Sequence, residues 1–169
     1  HDASLDETGY LHVIRSKTAK LFEASARLAA VLAASSTLVE EACATYGQAL
    51  GTAFQIIDDV LDYDGDSAEM GKNLGDDLRE GKATLPLIAA MQRGTPAQAA
   101  TVREAIENGN TDQLDAIAHI LRSTGALDVA RNAAAAEAQR AIAALEQLPS
   151  NEYSAALHQL ASQLLARRT

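Results

Sequence analysis

A chain of 169 residues with 47% hydrophobic content, 4% aromatic content and no tryptophan is long enough for one packed domain, and its β-branched runs are too scarce to build a sheet. Its net charge of −9 excludes a nucleic-acid backbone as partner, because phosphate binding needs a basic face. No run approaches about 18 apolar residues and no charged-then-apolar leader opens the sequence, so no transmembrane segment is expected and the cytoplasm is the expected compartment.

From Tyr10 to Leu32 the apolar residues Leu11, Ile14, Leu21, Leu28 and Leu32 recur at helical spacing, which predicts a long amphipathic helix over 10–33 with Lys17 at the edge of its stripe. Ser35 and Ser36 break the pattern, and Thr37 with Glu40 reads as the capping box of a second helix over 37–63. Leu38, Cys43, Tyr46, Leu50, Phe54, Ile57 and Leu61 surround much of its girth, so it is expected at the centre of the core, with lone Cys43 as a small buried hydrophobe. Gly47 and Gly51 lie one turn apart and predict close approach of a neighbouring helix. Residues 64–83 hold four of the ten glycines and no periodicity, and read as a loop. Over 84–169 the punctuation predicts short antiparallel helices: Thr84 with Pro86, Thr95 with Pro96, Gly109 to Thr111, Gly125, and Pro149 with Ser150. The fold class expected is all-α, an antiparallel helical bundle.

Asp58, Asp59 and Asp62 end the apolar run of the second helix. At about 100° per residue, Asp58 and Asp62 share one side, with Asp59 on their flank. Like charges one turn apart cost a helix a few tenths of a kcal/mol, so propensity does not explain them, whereas Mg2+ bound together with a phosphorylated ligand does. Between Asp58 and Lys82 stand nine acidic and three basic residues, a net −6 within the chain total of −9. Lys72 and Lys82 bracket the loop with Asp76 and Asp77 between them. Carboxylates engage a diphosphate only through divalent ions, while ammonium groups touch its oxygens directly, so the two sets are complementary. Asp64, Asp66 and Glu69 are expected to lie in solvent outside any site. Asp62, Asp64 and Asp66 also match the start of an EF-hand loop, but Ser67 replaces its glycine and Asn73 its closing glutamate. No nucleophile elbow appears, and His1, His12, His119 and His158 lack metal-ligand spacing.

An ordered set of motifs carries a resemblance: Ile14-x-x-Lys17-Thr18; Gly51-Thr52-Ala53-Phe54-Gln55-Ile56-Ile57-Asp58-Asp59-x-x-Asp62; Gly71-Lys72-Asn73-x-Gly75-Asp76-Asp77; and Glu80-Gly81-Lys82-x-Thr84-Leu85-Pro86. Over essentially its whole length the chain resembles the C-terminal half of a trans-isoprenyl diphosphate synthase (polyprenyl synthetase) of the bacterial long-chain type. The resemblance implies the C-terminal part of an isoprenoid synthase fold. It implies that Asp58, Asp59 and Asp62 form the second aspartate-rich motif, holding Mg2+ against an allylic diphosphate. By the same resemblance Lys17, Lys72 and Lys82 contact the diphosphate oxygens and act catalytically, Thr18 and Gln55 add polar contacts, and Asp76 supports a metal-bound water. The reaction implied is elongation of the allylic diphosphate by isopentenyl diphosphate, for long-chain products such as quinone side chains.

Working members also carry a first aspartate-rich motif, an arginine pair and a basic site for isopentenyl diphosphate, none of which stands in these 169 residues. This segment alone is therefore expected to be inactive and to belong to a longer protein that pairs as a homodimer. An alternative is a non-catalytic partner subunit of a prenyl synthase, against which the intact triplet and both loop lysines weigh. Arg167 and Arg168 could close the mouth of the site, or fray in solvent.

Overall fold

A computed structural model describes residues 2–64, 74–109 and 111–166, and among these there are helices and no strands. Helix α1 is Glu7–Ile14 and runs through a π-helical turn, Arg15–Ala19, into α2, Lys20–Leu32. Helix α3 is Thr37–Asp64, α4 the single turn Asp76–Arg79, α5 Leu85–Arg93, α6 Pro96–Asn108 and α7 Leu114–Ser123. Helix α8, Ala126–Ala144, passes into a 3₁₀ turn, Leu145–Gln147, and α9 is Glu152–Leu164. The all-α expectation and the punctuation after residue 84 hold. Thr95 and Gln98 form a reciprocal capping box at the start of α6, and Asn151 caps α9 through the backbone N–H groups of Tyr153 and Ser154, each at 3.0 Å. Helix α3 is capped one residue earlier than expected. Ser36 Oγ accepts from Val39 N at 3.4 Å, and Glu40 pairs instead with Arg27 at 2.9 Å.

The chain divides into two compact units. Of the described residues, 2–10, 58–64, 74–109 and 111–132 belong to one, and 11–57 and 133–166 to the other. In the first, α5 is buried nearly all round, through Leu85, Pro86, Leu87, Ile88, Ala89 and Ala90. It packs on α6 and α7, whose Val102, Ile106, Ile117 and Leu121 are fully buried. A side chain as large as leucine removed from water there contributes about 1.5–3 kcal/mol, which makes this layer a firm base for the short α4, whose Leu78 is also fully buried.

The second unit is built on small residues. Ala49, Ala53, Ala138, Ala141 and Ala161 form its centre together with Tyr46, Leu50, Leu145 and Leu164. The tilted rings of Phe22 and Phe54 stack at its edge, 5.8 Å apart. Alanine cores require close helix approach, and Gly47 and Gly51 supply it as expected. A Cβ at Gly47 would lie 2.4 Å from the Phe22 carbonyl oxygen, and one at Gly51 would lie 2.8 Å from Ala19 Cα. Cys43 is half-buried, and burial raises its thiol pKa.

The amphipathic reading of 10–33 is corrected here. Leu21, Leu28 and Leu32 are 71%, 57% and 86% exposed, while the inward side of this segment carries Ile14, Ala19 and Ala30. The leucine periodicity is real, but it marks the outer face.

Candidate diphosphate site

Helix α3 delivers Asp58, Asp59 and Asp62 at its C-terminal end, and the three carboxylates go to different places. Asp59 is only 3% exposed, and Tyr10 Oη of α1 donates to its Oδ2 at 2.6 Å. Burial and the Asp59 carboxylate together hold the Tyr10 phenol protonated far above the ordinary tyrosine range, so it remains a donor. Asp58 and Asp62 instead line a cavity of about 280 Å³ together with Leu61, Asp76, Asp77, Glu80 and Lys82.

Asp62 also organises the chain opposite. Its Oδ1 accepts from Asp76 N and its Oδ2 from Asp77 N, both at 3.1 Å, and its carbonyl oxygen accepts from Gly75 N at 3.0 Å. Helix α4 is thus capped at its N-terminus by a carboxylate from another helix, where the exposed N–H groups favour negative charge. Gly75 precedes α4 with φ of 79°, a left-handed conformation that costs glycine nothing. Burial, and then the nearby Asp77 carboxylate, push the Asp62 carboxyl up to about 6 against the opposing pull of those two N–H groups.

On the opposite rim, Lys82 Nζ lies 2.8 Å from Asp77 Oδ1 and 2.6 Å from Glu80 Oε2. Burial lowers the Lys82 pKa, but the Asp77 and Glu80 carboxylates override it and leave the ammonium group above its ordinary range. Asp76 pairs with Arg79 on the next turn. Asp64 is tied to Arg131, with Arg122 at 3.7 Å, so it leaves the cavity through ion pairing and not simply into solvent. Asp66, Glu69 and Lys72 lie outside the described residues, as do Arg167 and Arg168.

Lys17, Thr18 and Gln55 belong to the other unit. There Thr18 Oγ1 donates to Gln55 Oε1 at 2.8 Å, and Lys17 is exposed on the π turn. Tyr10, Asp77 and Glu80 were not among the expected site residues. The sequence signal for Asp77 and Glu80 was their place beside Asp76 and Lys82, whereas Tyr10 stands 49 residues from its partner and gave none.

The donor set suits a hard divalent cation. Among the described residues no three His, Cys, Asp or Glu side chains converge as a ready-made metal cage. Magnesium does not need one, since it is usually bound by one or two carboxylates with waters and substrate phosphates filling its octahedron. Asp58 and Asp62 offer that minimum, and Asp76, Asp77 and Glu80 line the same cavity, so that a cation there would offset concentrated negative charge.

The sequence model for polyprenyl synthetases matches residues 1–123. The chain belongs to the polyprenyl synthetase family. Octaprenyl diphosphate synthase of Haemophilus influenzae is 48% identical over 162 residues, covering 95% of this chain and 49% of that protein. A geranyl-diphosphate-specific all-trans-nonaprenyl-diphosphate synthase of Rhodobacter capsulatus is 44% identical, covering 99% of this chain and 51% of that protein. The crystal structure of a Caulobacter crescentus polyprenyl synthase complexed with calcium and isoprenyl diphosphate superposes with a TM-score of 0.93 at 42% identity, covering all of this chain and 52% of that one. This polyprenyl synthetase chain therefore spans about half the length of the relatives it matches. No helix among its described residues is long and apolar enough to cross a membrane.

Proposed function

We propose that the whole protein to which this chain belongs is a trans-polyprenyl diphosphate synthase of the octaprenyl type, extending an allylic diphosphate with isopentenyl diphosphate and requiring Mg2+. The observation that carries the reading is the acidic cavity in which Asp58 and Asp62 face Asp77 and Lys82, in a chain 48% identical to an octaprenyl diphosphate synthase.

In this reading Asp58 and Asp62 would hold Mg2+, Asp59 supports the motif from behind through Tyr10, and Asp76 would support the ion from the facing segment. The metal's contribution is to neutralise the diphosphate and favour its departure as pyrophosphate. Lys82, with Lys17 and Lys72 by family correspondence, donates to the diphosphate oxygens as their charge grows, while Thr18 and Gln55 add polar contacts. The allylic C–O bond breaks with its electron pair leaving on pyrophosphate. The double bond of isopentenyl diphosphate then forms the new C–C bond to the carbocation, and loss of one proton restores an alkene. Fixed cationic donors aimed where negative charge develops are the largest usual source of such rate enhancement. The protein works in the cytoplasm as a homodimer.

The test is incubation of the whole protein with Mg2+, farnesyl diphosphate and isopentenyl diphosphate, with products read by mass spectrometry. A ladder of products spaced by one isoprene unit, abolished by chelation, supports the proposal. No extension by the intact protein refutes it, and restoration of a sibling synthase's activity by that inactive protein identifies a partner subunit instead.

A further inference from the structure

The π turn Arg15–Ala19 changes which residues face the core. In an uninterrupted α-helix the positions following Ile14 on its buried side are three and four residues on, which are Lys17 and Thr18. Ala19 would stand roughly 140° away. The π turn inserts one residue, so that five residues make about one turn and Ala19 comes under Ile14. Both are buried, Ala19 at 0% and Ile14 at 7% exposure, and Lys17 is turned out. Gly51 receives Ala19, whose Cα an added Cβ would approach to 2.8 Å.

A π turn interrupts the helical hydrogen-bond ladder and persists only where surroundings hold it. Thr18 is held by Gln55 on the C-terminal side. On the N-terminal side Arg15 Nη2 donates to Glu137 Oε1 of α8 at 2.6 Å. Glu137 is 13% exposed at its side chain and also takes Arg140 Nε at 2.9 Å. Arg140 continues to Gln48 Oε1 at 3.0 Å, and Gln48 Nε2 donates at 3.1 Å to Glu23, on α2 one turn beyond the π segment. The chain of contacts leaves the helix at Arg15 and returns to it at Glu23, bracketing the irregular turn. Arg15 Nε is buried with no partner among the described residues, so the guanidinium depends on Glu137.

We propose that Arg15 and Glu137 are positioning residues that hold the π turn and thereby set where Lys17 presents its ammonium group to the diphosphate. The inference rests on the proposed role of Lys17, and its test separates the two. In the whole protein, Glu137→Gln and Arg15→Met should each lower kcat/KM for the allylic diphosphate about tenfold, with part of the loss in kcat because Lys17 acts on the developing charge, and Arg15→Lys should restore part of it. Combined with Lys17→Ala, Glu137→Gln should add little, because both act through one ammonium group. Hydrogen exchange of the backbone amides over 15–20 should accelerate in Glu137→Gln while α9 keeps the parent rate. Unchanged exchange over 15–20, or a penalty that multiplies fully with that of Lys17→Ala, overturns the inference. Should Lys17→Ala itself leave both kcat and KM unchanged, the assignment of Lys17 falls, and with it the inferred consequence for the diphosphate.

Discussion

Replacing Tyr10 with phenylalanine removes a single oxygen from the interior, and its effect can be worked from the structure. The hydroxyl donates at 2.6 Å to a carboxylate 3% exposed, and the two residues share one compact unit. A hydrogen bond to a charged group contributes about 1.5–3 kcal/mol, and here water cannot reach in to replace the donor without opening the packing. For a chain of this size each kcal/mol moves the melting temperature by about 2–4 °C, so Tyr10→Phe should melt roughly 3–12 °C below the parent at pH 7.5 in the absence of divalent ions. The assay is calorimetric melting of four proteins: parent, Tyr10→Phe, Asp59→Asn and the double variant. Asparagine keeps the shape and removes the charge, so the tyrosine substitution should cost at least about 1 kcal/mol less in that background. A Tyr10→Phe melting temperature within about 1 °C of the parent would refute the claim that this bond fixes the buried member of the aspartate triplet.

Three further outcomes follow from the cavity. The Asp62 carboxyl is raised from 3.8 to about 6, so the folded protein binds that proton more tightly than the unfolded chain; its contribution is complete below the unfolded value and is lost as pH rises through about 6. Because Asp62 is half-exposed and screened, the loss is about 1 kcal/mol, and between pH 4.5 and 7.5 the parent should fall about 2–4 °C relative to Asp62→Asn, a loss that saturating Mg2+ removes; a relative gain would contradict this sign. In the whole protein, Asp58→Ala should lower kcat about a thousandfold with little change in melting temperature, and activity within about tenfold of the parent would count against a metal-holding role. Lys82→Ala, and Lys72→Ala by correspondence, should weaken binding of inorganic pyrophosphate with Mg2+ about tenfold in titration calorimetry, while equal affinity would count against a diphosphate-binding role for these lysines.

The parts of this molecule legible in its sequence are those governed by local rules. Thr84 with Pro86 and Thr95 with Pro96 at helix starts, and Gly109 at a helix end, act within a few residues, and each appears where expected. Gly47 and Gly51 were legible as close-approach positions because nothing else explains two glycines one turn apart in a 28-residue helix. The burial face of 10–33 was not legible, for a physical reason. Where glycines bring helix backbones together, the residues that fit between them are alanines, which give almost no hydrophobic signal, while the leucines that dominate the periodicity stand outside. The π turn left no mark either, since its only trace is the five-residue step from Ile14 to Ala19. Of the aspartate triplet, composition and spacing brought out the charge cluster, but its separation into a buried member and two cavity members depends on Tyr10 and on α4, both distant in sequence.

That separation changes what a substitution in the triplet can report. Asp58 lines the cavity, whereas the backbone N–H groups of Asp76 and Asp77 are taken by Asp62, so removing Asp58 tests electrostatics at the site most directly. Asp62 has two functions at once. Its carboxylate oxygens cap α4, and α4 carries Asp77, which with Glu80 holds Lys82 at the rim. Losing Asp62 therefore removes a metal donor and also releases the segment that presents the anion-binding lysine. Asp62→Asn retains one acceptor oxygen for the cap, while Asp62→Ala retains none. The two variants should thus differ little in metal dependence and clearly in KM for the diphosphate, with Asp62→Ala the weaker binder by about the value of one cap, roughly 1 kcal/mol or fivefold. Equal KM values for the two would mean that α4 keeps its place without Asp62, and the third aspartate would then act through the metal alone.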